Sequence, residues 1–277
     1  MKLFYRKYGD PGIPLILIHG LYGAGDNWAG IAKNLSEDFE VFVIDQRNHG
    51  QSPHSDVHTY EAMRDDLLEF MDLLGMQTAI LIGHSMGGKT AMFFAEAYPN
   101  RVRALVSVDM APKSYHDLAA TSHFIADHAA IIDAMMGIDL SSMKRREDID
   151  RALSAHIGSK RIRGFLLKNV SREKSGDFTW KINLPVIRRN LDGILDGMDI
   201  GKIKQKGGIK GFPVLFIAGE RSDYITAADH ELIKSVFPPA EIVSIPNGSH
   251  WVHAEQPDLL IKNIRYFLSV QEGESIA

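Results

Sequence analysis

Short, unbroken apolar runs recur along the chain between polar or glycine-rich stretches. They are Leu15-Ile16-Leu17-Ile18, Val41-Phe42-Val43-Ile44, Ala79-Ile80-Leu81-Ile82, Ala104 to Val108, Val214-Leu215-Phe216-Ile217 and Ala240 to Ile245. A run this short with no polar alternation predicts a strand covered on both faces. Between the runs the period changes. From Tyr60 to Leu74, residues Met63, Leu67, Phe70, Met71 and Leu74 share one helical stripe, with Thr59 as N-cap and Gly75 as stop. Trp28 to Leu35, Ser85 to Tyr98 (halted by Pro99) and Leu259 to Leu268 are further helices. Buried strands alternating with helices predict an α/β fold, a mostly parallel, doubly wound sheet with helices on both faces.

From about Pro112 to Gly208 this alternation lapses. The segment holds helical stretches and basic clusters such as Lys144-Arg145-Arg146, with no clear buried strand. It predicts a helical cap over residues 113–208, inserted into a core formed by 1–112 and 209–277. The Gly/Lys-rich tract from Lys202 to Gly211 is expected to be a flexible return to that core. Composition fits a globular protein: 277 residues, 45% hydrophobic and 24% charged. A net charge of −4 gives no electrostatic reason to bind nucleic acid or anionic lipid. The absence of cysteine excludes disulfides, thiolate metal sites and a cysteine nucleophile. No run approaches the ~18 apolar residues of a membrane span, and the N-terminal residues lack a signal-peptide apolar core. The expectation is a soluble, cytoplasmic protein acting on a small molecule, with neither nucleic acid nor membrane as partner.

In such a sheet, reactive groups gather at the carboxyl ends of the strands. His19, Asp45, Ser85, Asp109 and Ser222 or Asp223 all fall there. Gly83-His84-Ser85-Met86-Gly87-Gly88 follows a strand and opens a helix, the context of a nucleophile elbow, so Ser85 is the candidate nucleophile. A hydroxyl needs a base. His250, in the loop after the last strand, is the candidate, whereas His253 suits a packing or capping role. The acid that orients the base has two candidates. In most members of such a fold it is the third residue past a Gly after the later strand. That slot here is Ser222, and Asp223 is one step off, which turns a side chain the other way in an extended segment. Asp109 follows its own strand immediately, so spacing favours Asp109, with Asp223 as the alternative. Backbone N–H groups of Leu21, in the loop opened by His19-Gly20, and of Met86 are the expected oxyanion donors. Asp45 and His49 lack further ligands at workable spacing, so no metal and no cofactor is expected.

These motifs resemble the α/β-hydrolase superfamily from Leu15 to Leu268. Within it, four stretches are similar to the YbfF-type bacterial esterases and their mitochondrial relatives. They are Arg47-Asn48-His49-Gly50, where most of the superfamily has Gly in place of Asn48; Gly83 to Lys89; Val108-Asp109-Met110-Ala111-Pro112; and Gly248 to Glu255. Phe165-Leu166-Leu167-Lys168 and Trp180-Lys181-Ile182-Asn183 in the expected cap are similar too. The resemblance implies a carboxylesterase or thioesterase with a helical cap that cleaves short acyl esters through a Ser-His-Asp acyl-enzyme mechanism. It places the acid after the earlier strand, at Asp109; Asp223 departs from a position that is usually non-acidic. Two other functions are compatible with the sequence. One is a C–C hydrolase or lyase of the menaquinone-pathway type, whose carboxylated substrate would meet Arg161, Arg163, Arg188 and Arg189. The other is an idle ligand-binding member of the fold. Epoxide hydrolases and haloalkane dehalogenases use a carboxylate where this chain has Ser85.

Overall fold

All six apolar runs form strands of one sheet. The computed structural model describes residues 1–116 and 128–274. Its strands are β1 (Tyr5–Tyr8), β2 (Pro14–Ile18), β3 (Glu40–Ile44), β4 (Ala79–His84), β5 (Val102–Val108), β6 (Val170–Arg172), β7 (Phe178–Trp180), β8 (Val214–Gly219) and β9 (Ala240–Ile245). Helices α1 (Ala29–Leu35), α2 (Tyr60–Leu73) and α3 (Met86–Ala97) precede the long segment between β5 and β8. Within that segment lie α4 (His128–Met136), α5 (Arg146–Ser154), α6 (Lys160–Leu166), α7 (Leu184–Arg189), α8 (Leu191–Leu195) and α9 (Ile200–Gln205). After it come α10 (His230–Val236), α11 (Val252–Glu255) and α12 (Pro257–Glu274).

The main sheet has the order β1-β3-β2-β4-β5-β8-β9. Its pairs are parallel except β1 with β3. The edge strand β1 was not anticipated; it alternates exposed and half-buried residues and carries no apolar run. The apolar runs are continuous because their two faces feed two different cores. Ile16, Ile18, Leu81, Leu105 and Phe216 face Leu67 and Phe70 of α2, Met92 and Phe94 of α3, and Ile233 of α10. Their neighbours Leu15, Leu17, Ile80, Ile82, Val106 and Ile217 face Ile31 and Leu35 of α1 and Leu260, Ile264 and Phe267 of α12. The capping chemistry of α2 is as expected: Thr59 Oγ1 accepts from the Ala62 N–H at 3.2 Å, and Gly75 follows the helix at φ +68°.

The segment between β5 and β8 departs from an all-helical expectation. Strands β6 and β7 form an antiparallel ribbon around Gly176 at φ +95°. Only Val170 and Phe178 of this ribbon are buried, so it has no apolar run to announce it. The expected flexible return is partly helix. Asp199 caps α9 by accepting from Lys202 N–H at 3.0 Å, and Ile203 is buried beneath it. Residues 117–127, inside the expected cap, lie outside the described residues.

This segment builds its own apolar core and lays it over the carboxyl ends of β2 and β4. Ile131 and Ile132 of α4, Ile149 and Leu153 of α5, Leu166 of α6 and Ile187 of α7 pack with Leu21, Tyr22, Met63 and Met86. Polar anchors fix the overlay. The Asn183 N–H donates to Asn48 O at 2.9 Å, Asn169 Nδ2 to Tyr22 O at 2.7 Å, and the Tyr60 hydroxyl to Ile194 O at 2.8 Å. The Lys89 ammonium donates to Asp196 O and lies 4.9 Å from the Tyr115 ring centre. Burial draws the Lys89 ammonium down to about 7, against the opposing pull of Asp196.

The crossing of α3 over the sheet leaves no room for side chains on the glycines of the elbow. A Cβ on Gly83 would strike Gly87 O, and one on Gly87 would strike Ile18 O and approach His19 O at 2.6 Å. These contacts are backbone, which cannot swing away. Along the same strand ends lies a group of buried histidines: His19, His49, His58, His84 and His253. Burial lowers the pKa of each of them below 6.5, with neighbouring positive or histidine charges adding to it at His49, His58, His84 and His253. His58 and His253 fall to about 3.

Gly87→Ala is expected to cost about 1–3 kcal/mol or more through overpacking, whereas Gly164→Ala in α6, where nothing lies within 4 Å of the added methyl, is expected to be neutral or stabilising. Thermal unfolding of the two variants checks this. The histidines predict a second behaviour. Their folded pKa values lie below the unfolded value of 6.5, so the unfolded chain binds the protons first. Stability is then full above pH 6.5 and falls as pH drops from 6.5 towards 3, by about 1.4 kcal/mol per pH unit for each histidine held neutral. Urea midpoints measured from pH 7.5 to 5 should decline below 6.5; a flat profile would contradict the assignment.

Candidate active site

The elbow after β4 puts Ser85 in a conformation that non-glycine residues rarely adopt, φ +54° and ψ −124°. The strain lifts its side chain off the strand and leaves Met86 as the first residue of α3. N–H groups of a first helical turn have no partner within the helix, which makes that end receptive to negative charge. Gly20 packs directly on the elbow: a Cβ there would meet Ser85 Cβ at 3.0 Å and His84 Nδ1 at 2.9 Å. The loop therefore brings Leu21, next in the chain, beside the same hydroxyl. Both Leu21 and Ser85 line one cavity.

His250 lies between Ser85 and Asp109. Its Nε2 is 3.1 Å from Ser85 Oγ, and its Nδ1 is 2.8 Å from Asp109 Oδ2. Asp109 is fully buried at φ +52° just past β5. Its N–H donates to Ile217 O at 2.7 Å, which fixes it between β5 and β8. Its carboxylate also accepts from Gly219 N–H at 2.9 Å and from the Ser222 hydroxyl. The slot that spacing identified as the usual acid position thus holds a serine, Ser222, that donates to the Asp109 carboxylate from the earlier strand. Asp223, one residue on, is half-buried, and the carboxylate that faces His250 Nδ1 is that of Asp109.

Sequence reasoning missed several supporting residues. His84, the variable position of the elbow motif, donates from Nε2 to His250 O at 2.7 Å and so holds the loop that carries His250. Burial, with His253 and His250 close by, keeps His84 neutral. His253 stacks on Trp28 at 5.4 Å, the packing role expected of it. Tyr224 lies face to face with the His250 ring at 3.6 Å and 14°. Asn48, at φ +65°, takes the backbone conformation that a glycine would, and its Oδ1 accepts from Ser55 N–H at 2.8 Å and from Asn183 Nδ2 at 3.1 Å. His19 is structural: its Nε2 accepts from the Gln46 N–H at 2.9 Å. Asp45 shapes a loop, accepting from the N–H groups of Gly25 at 2.6 Å and Gln51 at 2.8 Å.

Ser85 and His250 open onto a cavity of about 110 Å³. Its walls are Leu21, Tyr22, Ile131, Ile162, Phe165, Leu166, Tyr224 and Trp251, together with His84 and His128. No Lys, Arg, Asp or Glu lines it among the described residues. The four arginines that could have received a carboxylated substrate are engaged elsewhere. Arg161 pairs with Glu255, Arg163 with Asp150 at 2.7 Å, Arg188 with Asp133 at 2.8 Å and Arg189 with Asp56 at 3.3 Å. Among the described residues no group of His, Asp and Glu is placed to hold a metal ion, and no helix is long and apolar enough to cross a membrane.

A family model described as the alpha/beta hydrolase fold matches residues 13–257. Similar curated proteins include the sn-1-specific diacylglycerol lipase ABHD11 of Danio rerio, 38% identical over 97% of this chain and 83% of its own length. Esterase YbfF of Escherichia coli is 32% identical over 92% of this chain and 93% of its own. Among solved structures, a marine microorganism esterase superposes with a TM-score of 0.89 at 45% identity, covering 96% of this chain and 99% of the other. With the sheet order, the elbow and matched residues in agreement, the chain belongs to the α/β-hydrolase family.

Proposed function

We propose that this chain is a serine carboxylesterase, acting on neutral esters with short acyl groups through Ser85, His250 and Asp109. The observation that carries it is the unbroken chain from Ser85 Oγ to His250 Nε2 at 3.1 Å and from His250 Nδ1 to Asp109 at 2.8 Å, at the floor of an apolar cavity. Ester hydrolysis itself accords with relatives named as esterases and lipases.

Ser85 Oγ attacks the ester carbonyl carbon while its proton passes to His250 Nε2. The carbonyl oxygen, now negative, is received by the N–H groups of Leu21 and Met86. Asp109 holds the Nδ1–H tautomer and faces the imidazolium; its other donors, Gly219 N–H and Ser222 Oγ–H, keep the carboxylate from turning away. The tetrahedral intermediate collapses, His250 gives its proton to the leaving alcohol, and an acyl-Ser85 ester remains. Water then loses a proton to His250 and attacks the acyl carbon. The second collapse returns that proton to Ser85 Oγ and releases the carboxylic acid. The segment 113–208 acts as the cap, excluding bulk water and limiting the acyl chain.

The cavity supports a small, uncharged acyl group. A space of about 150 Å³ is known to hold one benzene, so 110 Å³ suits a chain of about four carbons. The paired arginines, and walls without Lys, Arg, Asp or Glu among the described residues, give the carboxylate-binding C–C hydrolase alternative no support.

A p-nitrophenyl ester series with matched thioesters is expected to peak at short chains and fall steeply for long ones, with Ser85→Ala lowering kcat by at least about 10³-fold. A fluorophosphonate probe should label the wild type and leave Ser85→Ala unlabelled; a folded wild type that fails to label would sink the proposal. Asp109→Asn is expected to lower kcat about 10³–10⁴-fold, and Asp223→Asn to change it only a few-fold. The reverse ranking would move the acid to Asp223.

A further inference from the structure

We propose that Tyr224 is a positioning residue for the base, acting through the face of its ring on the His250 imidazole. The proposal rests on His250 serving as the base. The two rings lie 3.6 Å apart at 14°, a parallel stack closer than any other ring contact of His250 among the described residues. The tyrosine is itself held from several sides. Its carbonyl accepts from the Tyr115 hydroxyl at 2.9 Å, and that hydroxyl accepts from the Ala111 N–H at 2.8 Å, two residues past Asp109. Its N–H donates to Ser222 Oγ at 3.3 Å, and its own hydroxyl lies 3.3 Å from His128 Nε2 at the start of α4. Tyr224 is only 4% exposed.

The chemistry explains why a fixed ring is needed there. His250 is tethered at Nδ1 by Asp109, and a single hydrogen bond leaves the imidazole free to rotate about its side-chain torsions. During one turnover Nε2 serves Ser85 Oγ, then the leaving oxygen, then water, then Ser85 again. A flat ring in contact with one face blocks the rotation that would carry Nε2 out of line. The same π face meets the imidazolium that forms in each half-reaction, where an aromatic ring is attractive. The nearest ring beyond Tyr224 is His84, 4.8 Å away at 41°; burial and the neighbouring histidines keep it neutral, so it adds no repelling charge. Gly219 at the end of β8, and Ser222 and Tyr224 in the turn that follows, thus supply two donors to the acid and a wall to the base.

The test compares Tyr224→Leu and Tyr224→Phe with wild type and Ser85→Ala, using kcat and KM for p-nitrophenyl butyrate and the rate of fluorophosphonate labelling. Tyr224→Leu is expected to lower kcat and labelling about tenfold, with KM changed by about twofold at most. Tyr224→Phe keeps the ring and should recover most of the loss. The proposal is overturned if the folded Leu variant keeps wild-type kcat, if its loss falls in KM alone, or if Phe loses as much as Leu. Should the Leu variant fail to fold, Tyr224→Met is judged by the same criteria, and the Phe comparison decides independently. Inactive Ser85→Ala with normal Tyr224→Leu removes only the role of Tyr224. Active Ser85→Ala removes the triad and, with it, this proposal.

Discussion

Asp109 carries a carboxylate with no exposed surface, and the geometry around it follows from that constraint. A buried ionisable group is costly unless its oxygens are met by donors. Here they are met by Gly219 N–H, the Ser222 hydroxyl and His250 Nδ1. Those partners come from the turn after β8 and the loop after β9, so one side chain pins the ends of β5, β8 and β9 to each other. The imidazole is aimed at Ser85 because its other nitrogen is committed to this carboxylate. Removing the Gly219 N–H or the Ser222 hydroxyl would leave the Asp109 carboxylate under-satisfied and the His250 imidazole less firmly aimed.

Much of this was legible in the sequence, for reasons that differ between elements. The central strands stand out because both faces are buried, so Leu15–Ile18 or Ile80–Ile82 can contain no polar residue. The elbow stands out because backbone atoms press on Gly83 and Gly87, and side chains there are sterically excluded. Asp109 was favoured over Asp223 on register, and Ser222, in the late slot, donates its hydroxyl to Asp109. What could not be read were partnerships formed in three dimensions. Tyr224 is 26 residues from His250, and His84 is 166 residues from the carbonyl it supports. Neither leaves a local pattern beyond being polar or aromatic beside a motif.

The segment between β5 and β8 was the least legible part. Its elements are short, and some bury a single apolar residue, such as Val170 of β6, Phe178 of β7 and Ile203 of α9, so those stretches show no clean period. The anchors that seat it are side chain to backbone contacts across long separations, Asn169 to Tyr22 and Tyr60 to Ile194 among them. Asn48 shows how such an anchor is compatible with a tight turn. It accepts the positive φ that glycine would take more cheaply, and in return its carbonyl and its side-chain amide hold Asn183. The same seating places Ile131, Ile162 and Leu166 in the wall of the cavity that Ser85 lines, where no Lys, Arg, Asp or Glu is found among the described residues.

The proposed function centres on Ser85 attacking an ester carbonyl whose oxygen, as it turns negative, is received by backbone N–H groups while His250 is held by Asp109. A crystal structure of the fluorophosphonate adduct tests this most directly. The expected adduct has phosphorus bonded to Ser85 Oγ, the phosphoryl oxygen within hydrogen-bond distance of the N–H groups of both Leu21 and Met86, and His250 Nδ1 still on Asp109. An adduct on another residue, a phosphoryl oxygen turned away from both N–H groups, or an imidazole paired with Asp223 would contradict it.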